Sequence, residues 1–498
     1  MIRADPQREW TGSVTTRTVP SVEDIRERLG AIGQEHVLRF YDSLSEDARQ
    51  GLLQQIDALD LEGLPGLIEK YVRSKPDFSP GSTPRPASVY PANEGDAVRS
   101  WDRAYYRKAG ETLLRAGKVA AFTVAGGQGS RLGFEGPKGK YPAGAVTKKP
   151  LFAMLGEWVL AAQSRYGAAI PWYIMTSPIN HEETVEFFRE QHHFGLNEDD
   201  IIFFPQGVMP SFDLETGNML LAEKGVLATN PDGHGGSLRA LAVSGALDDM
   251  RRRGIEQISY FQVDNPIVRA IDPVFIGLHV SAPDSSGEMS AKVVRKTDPK
   301  EKVGVVCSVD GKHQVIEYSD LPDELAEQRN SDGSLAFSAG SIAIHMLSVE
   351  FVQRLNNSAG SGGFALPFHR AEKKVPFVNL ETGERVEPSA PNAVKLETFV
   401  FDALPFADKA LILETERVEE FAPIKNAEGN DSPATCRAIQ TERAALWLET
   451  AGIRVARRPD ETPDCVLELS PLTATTAEDL QQREDLPKEI RAGQKLAL

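Results

Sequence analysis

The stretch Lys118-Val119-Ala120-Ala121-Phe122-Thr123-Val124-Ala125-Gly126-Gly127-Gln128-Gly129-Ser130-Arg131-Leu132-Gly133, continued by Gly136-Pro137-Lys138-Gly139, decides the fold class. The run Lys118–Val124 is short, mostly apolar and β-favouring, which predicts a buried strand. The glycines behind it let the backbone turn sharply and approach a flat or charged ligand. Arg131 and Lys138 are then delivered to the same place, and both suit phosphate oxygens. The segment reads as a nucleotide-handling loop that carries groups for phosphoryl chemistry.

Outward from the loop, helical and strand patterns alternate. Residues 151–166, 182–191 and 236–250 have helical spacing, while 171–176, 201–204 and 258–263 are short apolar runs. Such alternation predicts parallel strands with crossover helices, an α/β sandwich. Further on, 305–309, the turn Asp310-Gly311 and 314–318 predict a β-hairpin inserted antiparallel into that sheet. On the other side, residues 1–20 are polar and unpatterned. Helical spacing begins behind Ser21, a candidate cap, and recurs at 52–59 and 64–72. Residues 74–93, with prolines at 76, 80, 84, 86 and 91, read as an extended linker to a helix over 97–116. The expected organisation is an N-terminal arm, helical segment and linker at 1–95, a catalytic domain at 96–404 and an α+β lobe at 405–498.

Composition narrows the function classes. A chain of 498 residues with 41% hydrophobic and 26% charged residues suits a soluble globular protein of two or three domains. The net charge of −17 argues against nonspecific nucleic-acid binding, which needs a basic surface. No apolar run is long enough to span a bilayer, and Met1-Ile2-Arg3-Ala4-Asp5-Pro6 leads into no signal-like core. Three cysteines without a Cys-x-x-Cys pair suit a reducing, cytoplasmic setting. The loop lacks the Lys-Ser/Thr ending of a P-loop, and it lacks a Gly-x-Gly-x-x-Gly fingerprint with an acidic residue about twenty positions on.

Ala125–Gly133 with Pro137-Lys138-Gly139 closely resembles the signature of UTP-dependent sugar-1-phosphate uridylyltransferases, nearest to the eukaryotic-type UDP-N-acetylglucosamine pyrophosphorylases. Further blocks follow in order: Phe203-Phe204-Pro205-Gln206-Gly207, Pro231-Asp232-Gly233-His234-Gly235-Gly236, Val263-Asp264-Asn265, Val303-Gly304-Val305-Val306, Ile316-Glu317-Tyr318, Phe399-Val400-Phe401-Asp402 and Pro423-Ile424-Lys425-Asn426-Ala427. The resemblance spans roughly residues 95 to 475. It implies a Rossmann-like nucleotidyltransferase (GT-A-like) fold, a mixed sheet sandwiched by helices with an N-terminal helical segment and a small C-terminal lobe. The implied reaction joins UTP and a sugar 1-phosphate into a UDP-sugar and pyrophosphate, reversibly.

The resemblance also assigns roles. Arg131, Lys138 and Lys425 handle phosphates. Ala125, Gly126, Gly127, Gln206, Gly233 and His234 hold the uridine end of UTP, with Gln206 offering both a donor and an acceptor to the uracil edge. Asp264 takes the metal, Mg²⁺ or Mn²⁺. Gly304, Glu317, Ser341 and Phe401 face the sugar. Here the sequence departs from the family pattern, because Ser338, Ser341 and His234 stand where N-acetylhexosamine enzymes carry asparagine. The sugar expectation is N-acetylglucosamine 1-phosphate. The alternatives are a UDP-glucose or broad UDP-sugar pyrophosphorylase and a non-catalytic UDP-sugar-binding protein.

Overall fold

Strand β1 (Val119–Val124) follows the sequence expectation, as do β2 (Trp172–Thr176), β3 (Ile201–Pro205) and β4 (Gln257–Gln262). In the computed structural model, which describes residues 20–75, 82–357 and 364–498, these four strands lie parallel in the order β3-β2-β1-β4. All of their crossovers leave from the carboxyl ends, so the glycine loop after β1, Gln206 after β3 and Asp264 after β4 share one edge of the sheet. That edge is where open α/β sheets bind ligands.

The sheet becomes mixed beyond β4. It continues with β5 (Met289–Arg295), the hairpin β6 (Val305–Val309) and β7 (Lys312–Ile316), β8 (Ala339–Ser348) and β9 (Leu411–Thr415). Strand β8 runs antiparallel to both β4 and β5, and β9 pairs parallel with β5. The hairpin turns at Asp310 (φ +50°) and Gly311 (φ +79°), as its Asp-Gly pair requires. It meets β8 at Val305 and Gly340. Arg85 and Pro86 pair with Ser308 and Cys307, so part of the proline-rich stretch is a sheet edge. Its residues 76–81 lie outside the described residues, as do 1–19 of the polar arm.

The described residues form two compact units, one from 82–206, 248–352 and 401–498, the other from 20–75, 207–247, 353–357 and 364–400. In the sheet unit, helix Leu151–Tyr166 buries ten residues, and Phe152, Trp158 and Phe188 pack with Trp172 and Ile174. Helix Pro433–Thr450, capped reciprocally by Ser432 and Thr435, packs on a small parallel pair, Val466–Glu468 with Lys495–Ala497. Trp447, Leu448, Leu467 and Leu480 form a satellite core there.

In the second unit, helices Val22–Ala31 and Glu46–Asp57 start at Ser21 and Ser45, the former with a capping box. Their apolar faces share one core with Phe212, Met219, Val394 and Leu396, so these helices belong to the same packed body as segments far along the chain. Two helix expectations need correction. The 97–116 pattern yields a helix only over Arg103–Arg115, capped by Asp102. The 236–250 pattern is two helices, Gly236–Val243 and Ala246–Arg252, broken at Gly245 (φ +81°), where a left-handed residue ends the first.

Candidate active site

The glycine loop is held by its own backbone and by one buried side chain. The Ala125 N–H donates to the Met175 carbonyl at 2.7 Å, the Lys138 N–H to Gly127 at 3.0 Å, and the Gly129 N–H to Gly136 at 3.0 Å. The loop thus folds back on itself and brings Lys138 beneath its own start. Asn180, fully buried in the turn after β2, donates Nδ2 to the carbonyls of Ala125 (3.2 Å) and Gly127 (3.4 Å). Its Oδ1 accepts the Ser177 N–H at 2.7 Å. Asn180 was not among the expected site residues. The available signal was its place just past the second apolar run, at the carboxyl edge of the sheet.

Gln206 continues β3 by donating its N–H to the Thr176 carbonyl at 2.8 Å. Its buried amide lies against Gly126, where a methyl group would stand 2.2 Å from Gln206 Oε1. Only glycine leaves room for that close approach, which joins two residues eighty positions apart in one wall.

Asp264 lies two residues beyond β4. Its side chain and that of Lys138 are 13% and 16% exposed, and Lys138 Nζ stands 3.4 Å from Asp264 Oδ2. The Asp264 carbonyl accepts the Ile424 N–H at 2.9 Å. Asn265 bonds the Glu420 carbonyl and the Ala422 N–H. The Asp-Asn pair therefore anchors the segment carrying Lys425, whose Nζ sits 5.5 Å from the Phe421 ring centre and 3.9 Å from Asp431. Asp264, Ser341, Phe421 and Lys425 line one recess. Arg131 stands exposed on the short turn Ser130–Leu132.

The β6–β7 hairpin and β8 bring Gly304, Glu317 and Ser341 close together. The Ser341 N–H donates to the Gly304 carbonyl at 2.8 Å, and Glu317 Oε1 would lie 3.1 Å from a methyl group on Gly304. Next to Ser341 the strand is irregular: its pairing with β5 shifts register at Lys292 and Val293, and Ala343 has φ +54°. Phe401 is buried at the start of the turn Val400–Phe406.

A model described as UTP–glucose-1-phosphate uridylyltransferase matches residues 89–456. The chain belongs to this uridylyltransferase family. UDP-N-acetylhexosamine pyrophosphorylase-like protein 1 of Homo sapiens is 37% identical over 490 residues, 93% of this chain and 94% of the relative. UDP-N-acetylglucosamine pyrophosphorylase of Saccharomyces cerevisiae is 35% identical over 436 residues, 84% and 90% of the two chains. Among solved structures, the uridine diphosphate N-acetylglucosamine pyrophosphorylase from Trypanosoma brucei in complex with an inhibitor superposes with a TM-score of 0.77 at 26% identity. It covers 94% of this chain and 97% of that one.

For this member of the uridylyltransferase family, the sheet unit brings together Ala125, Gly126, Gly127 and Gln206 at one point. It gathers Lys138, Asp264, Lys425 and Ser341 at another, with Gly304 and Glu317 beside Ser341. Gly233 and His234 lie in the other unit. Gly233 has φ +85°, and a methyl group there would stand 2.3 Å from the Thr398 carbonyl oxygen. His234 Nδ1 accepts the Val400 N–H at 3.1 Å while its ring stacks on Phe399. That bond places the ring proton on Nε2.

Between Gly207 and Gly236 in the same unit sits the Asp232 carboxyl, whose Oδ1 is shielded and has no hydrogen-bond partner among the described residues. Burial raises its pKa from 3.8 to about 7. Asp232 belongs to a block visible in the sequence, but nothing in that block showed that its carboxyl would be enclosed.

Proposed function

We propose that the chain is a UTP:sugar-1-phosphate uridylyltransferase that converts UTP and N-acetylglucosamine 1-phosphate to UDP-N-acetylglucosamine and pyrophosphate. The observation that carries this reading is the convergence, at one sheet edge, of a Gly126–Gln206 wall with Lys138, Asp264 and Lys425. The names and coverage of the human and yeast relatives support it. The same reading places the fold among Rossmann-like, GT-A-like nucleotidyltransferases and the protein in the cytoplasm.

The chemistry needs little covalent help from the protein. The nucleophile is a phosphate oxygen already ionised near neutral pH, so no general base is required. The barrier lies in bringing two anions together and in the charge that develops on departing pyrophosphate. Arg131, Lys138 and Lys425 supply positive charge for that, and a preorganised loop spares them reorganisation during the reaction. The Gly126 backbone and Gln206 orient uracil, and Gly304, Glu317, Ser341 and Phe401 hold the sugar. Asp264 suits Mg²⁺ or Mn²⁺: it is a hard carboxylate donor, partly shielded, beside a lysine that draws phosphates, and magnesium is commonly held by one or two carboxylates plus substrate phosphates. When bound there, the ion neutralises phosphate charge.

The substitution of asparagine by Ser338, Ser341 and His234 favours a second reading, a UDP-glucose or broad UDP-sugar pyrophosphorylase. A shorter serine needs a bridging water to reach the partner of an asparagine amide. Incubation with UTP and a panel of sugar 1-phosphates, following pyrophosphate release, separates the two. Preferred turnover of N-acetylglucosamine 1-phosphate is expected, and comparable or better turnover of glucose 1-phosphate overturns it. Absence of turnover with every sugar, with UDP-sugar still bound, would point to a non-catalytic binder.

A further inference from the structure

The turn bearing Lys138 leads into a loop whose tip is gripped from the far end of the chain. Gly139 lies under the Phe152 ring, the Leu151 N–H donates to Tyr141, and the N–H groups of Ala143 and Gly144 donate to Lys149 at 3.0 and 3.1 Å. The loop 143–149 is thereby closed at its base, directly behind Lys138–Tyr141. Its tip has backbone groups with no partner inside the loop, and two buried side chains satisfy them. Glu468 Oε2 accepts the N–H groups of Val146 and Thr147, both at 2.8 Å, while its Oε1 accepts the Thr147 hydroxyl. Gln440 accepts the Ala145 N–H at 3.2 Å and returns Nε2 to the Ala143 carbonyl at 3.1 Å. Glu468 and Gln440 are 5% and 6% exposed. Lys149 pairs with Glu157, which accepts the Ser470 hydroxyl at 2.8 Å.

The same C-terminal segment also holds Lys425. The Asp431 carbonyl accepts the N–H groups of Lys425 and Asn426, and the next residue, Ser432, caps the helix Pro433–Thr450 that carries Gln440. One rigid helix therefore stands between the Lys425 loop and the Lys138 loop. Burying a carboxylate is costly unless several donors answer it, and here the donors all come from the loop.

We propose that Glu468 and Gln440 are positioning residues for catalysis, bracing the Lys138 turn at a set distance from Asp264 and Lys425. This rests on the reading of Lys138 as a phosphate-handling group. Glu468 and Gln440 act through loop geometry alone and contact no substrate.

The test is a kinetic double-mutant cycle on the full chain. Wild-type pyrophosphate release is measured first, and its absence would count against the proposed function rather than against the brace. Glu468→Gln removes the negative charge and one of the two acceptor oxygens, leaving three donors of the loop to share a single amide oxygen. It is expected to lower kcat about 10–100-fold, the scale of a small misplacement of a catalytic group, with KM for UTP little changed. Gln440→Ala is expected to act in the same direction, and hydrogen exchange at the Val146 and Thr147 amides should rise in Glu468→Gln. In a Lys138→Ala background, Glu468→Gln should cost little more, because its effect passes through the missing lysine. Multiplicative losses, an unchanged kcat, or equal losses in kcat and folded fraction would each overturn the proposal.

Discussion

Lys138 Nζ lies 3.4 Å from Asp264 Oδ2, joining the glycine loop to the end of β4 across 126 residues of sequence. The carboxylate is thus answered by a cation of the chain itself; under the proposed function, phosphates that draw the lysine away would leave Asp264 open to Mg²⁺. Lys138→Ala is expected to lower kcat by about 10²–10³, the range for losing one preorganised charge-stabilising donor. UDP-sugar affinity, measured by calorimetry, should change far less. Asp264→Asn is expected to lower turnover similarly and to weaken its dependence on Mg²⁺ concentration.

Gly126→Ala should damage UTP recognition without touching the phosphate groups. The added methyl group would collide with Gln206 Oε1 at 2.2 Å, so the amide must leave its place. A loss of ~1–3 kcal/mol in UTP affinity is expected, the worth of a buried hydrogen-bonding group made to miss its partner. Gln206→Ala should give a comparable rise in KM for UTP, and the double variant should lose little more than either alone.

Lys292 is fully buried, 2.6 Å from Asp272 and 2.7 Å from Glu420. Lys292→Met strands two buried carboxylates and is expected to cost about 3–5 kcal/mol in denaturant unfolding. Burial alone would raise the pKa of Asp272, but the charges of Lys292 and Arg269 outweigh it and hold the carboxyl at about 2, below its ordinary 3.8. The stability this pairing contributes is present above pH 3.8 and is lost as pH falls towards 2.

Asp232 has the opposite sign. With its folded pKa raised from 3.8 to about 7, the folded chain keeps a proton that the unfolded chain releases in that window. Stability therefore falls as pH rises from 3.8 to 7 and levels off above. Asp232→Asn removes the charge but keeps the shape, so it should raise stability relative to wild type by about 1–3 kcal/mol at pH 8. Near pH 4 the gain should vanish, which melting curves at the two pH values will read.

Much of this molecule was legible in local sequence. Strand β1, its glycine loop, helix Leu151–Tyr166, the Asp310-Gly311 hairpin and the Ser21 cap each follow from spacing, turn chemistry and capping within a dozen residues. The ordered blocks around Arg131, Gln206, Asp264 and Lys425 likewise marked the family and the class of chemistry. Other features depend on pairings that no local pattern encodes. The sharing of one core by the N-terminal helices with Phe212 and Val394, the close approach of Gly126 to Gln206, the Asn180 pin and the hold of Glu468 on Val146 and Thr147 are all of this kind. The reason is physical: a strand or cap is set by dihedral preference and the alternation of polar with apolar residues, over short range. Whether a carboxylate meets a lysine, a backbone N–H or nothing at all is set by which distant segments the fold brings within hydrogen-bonding distance.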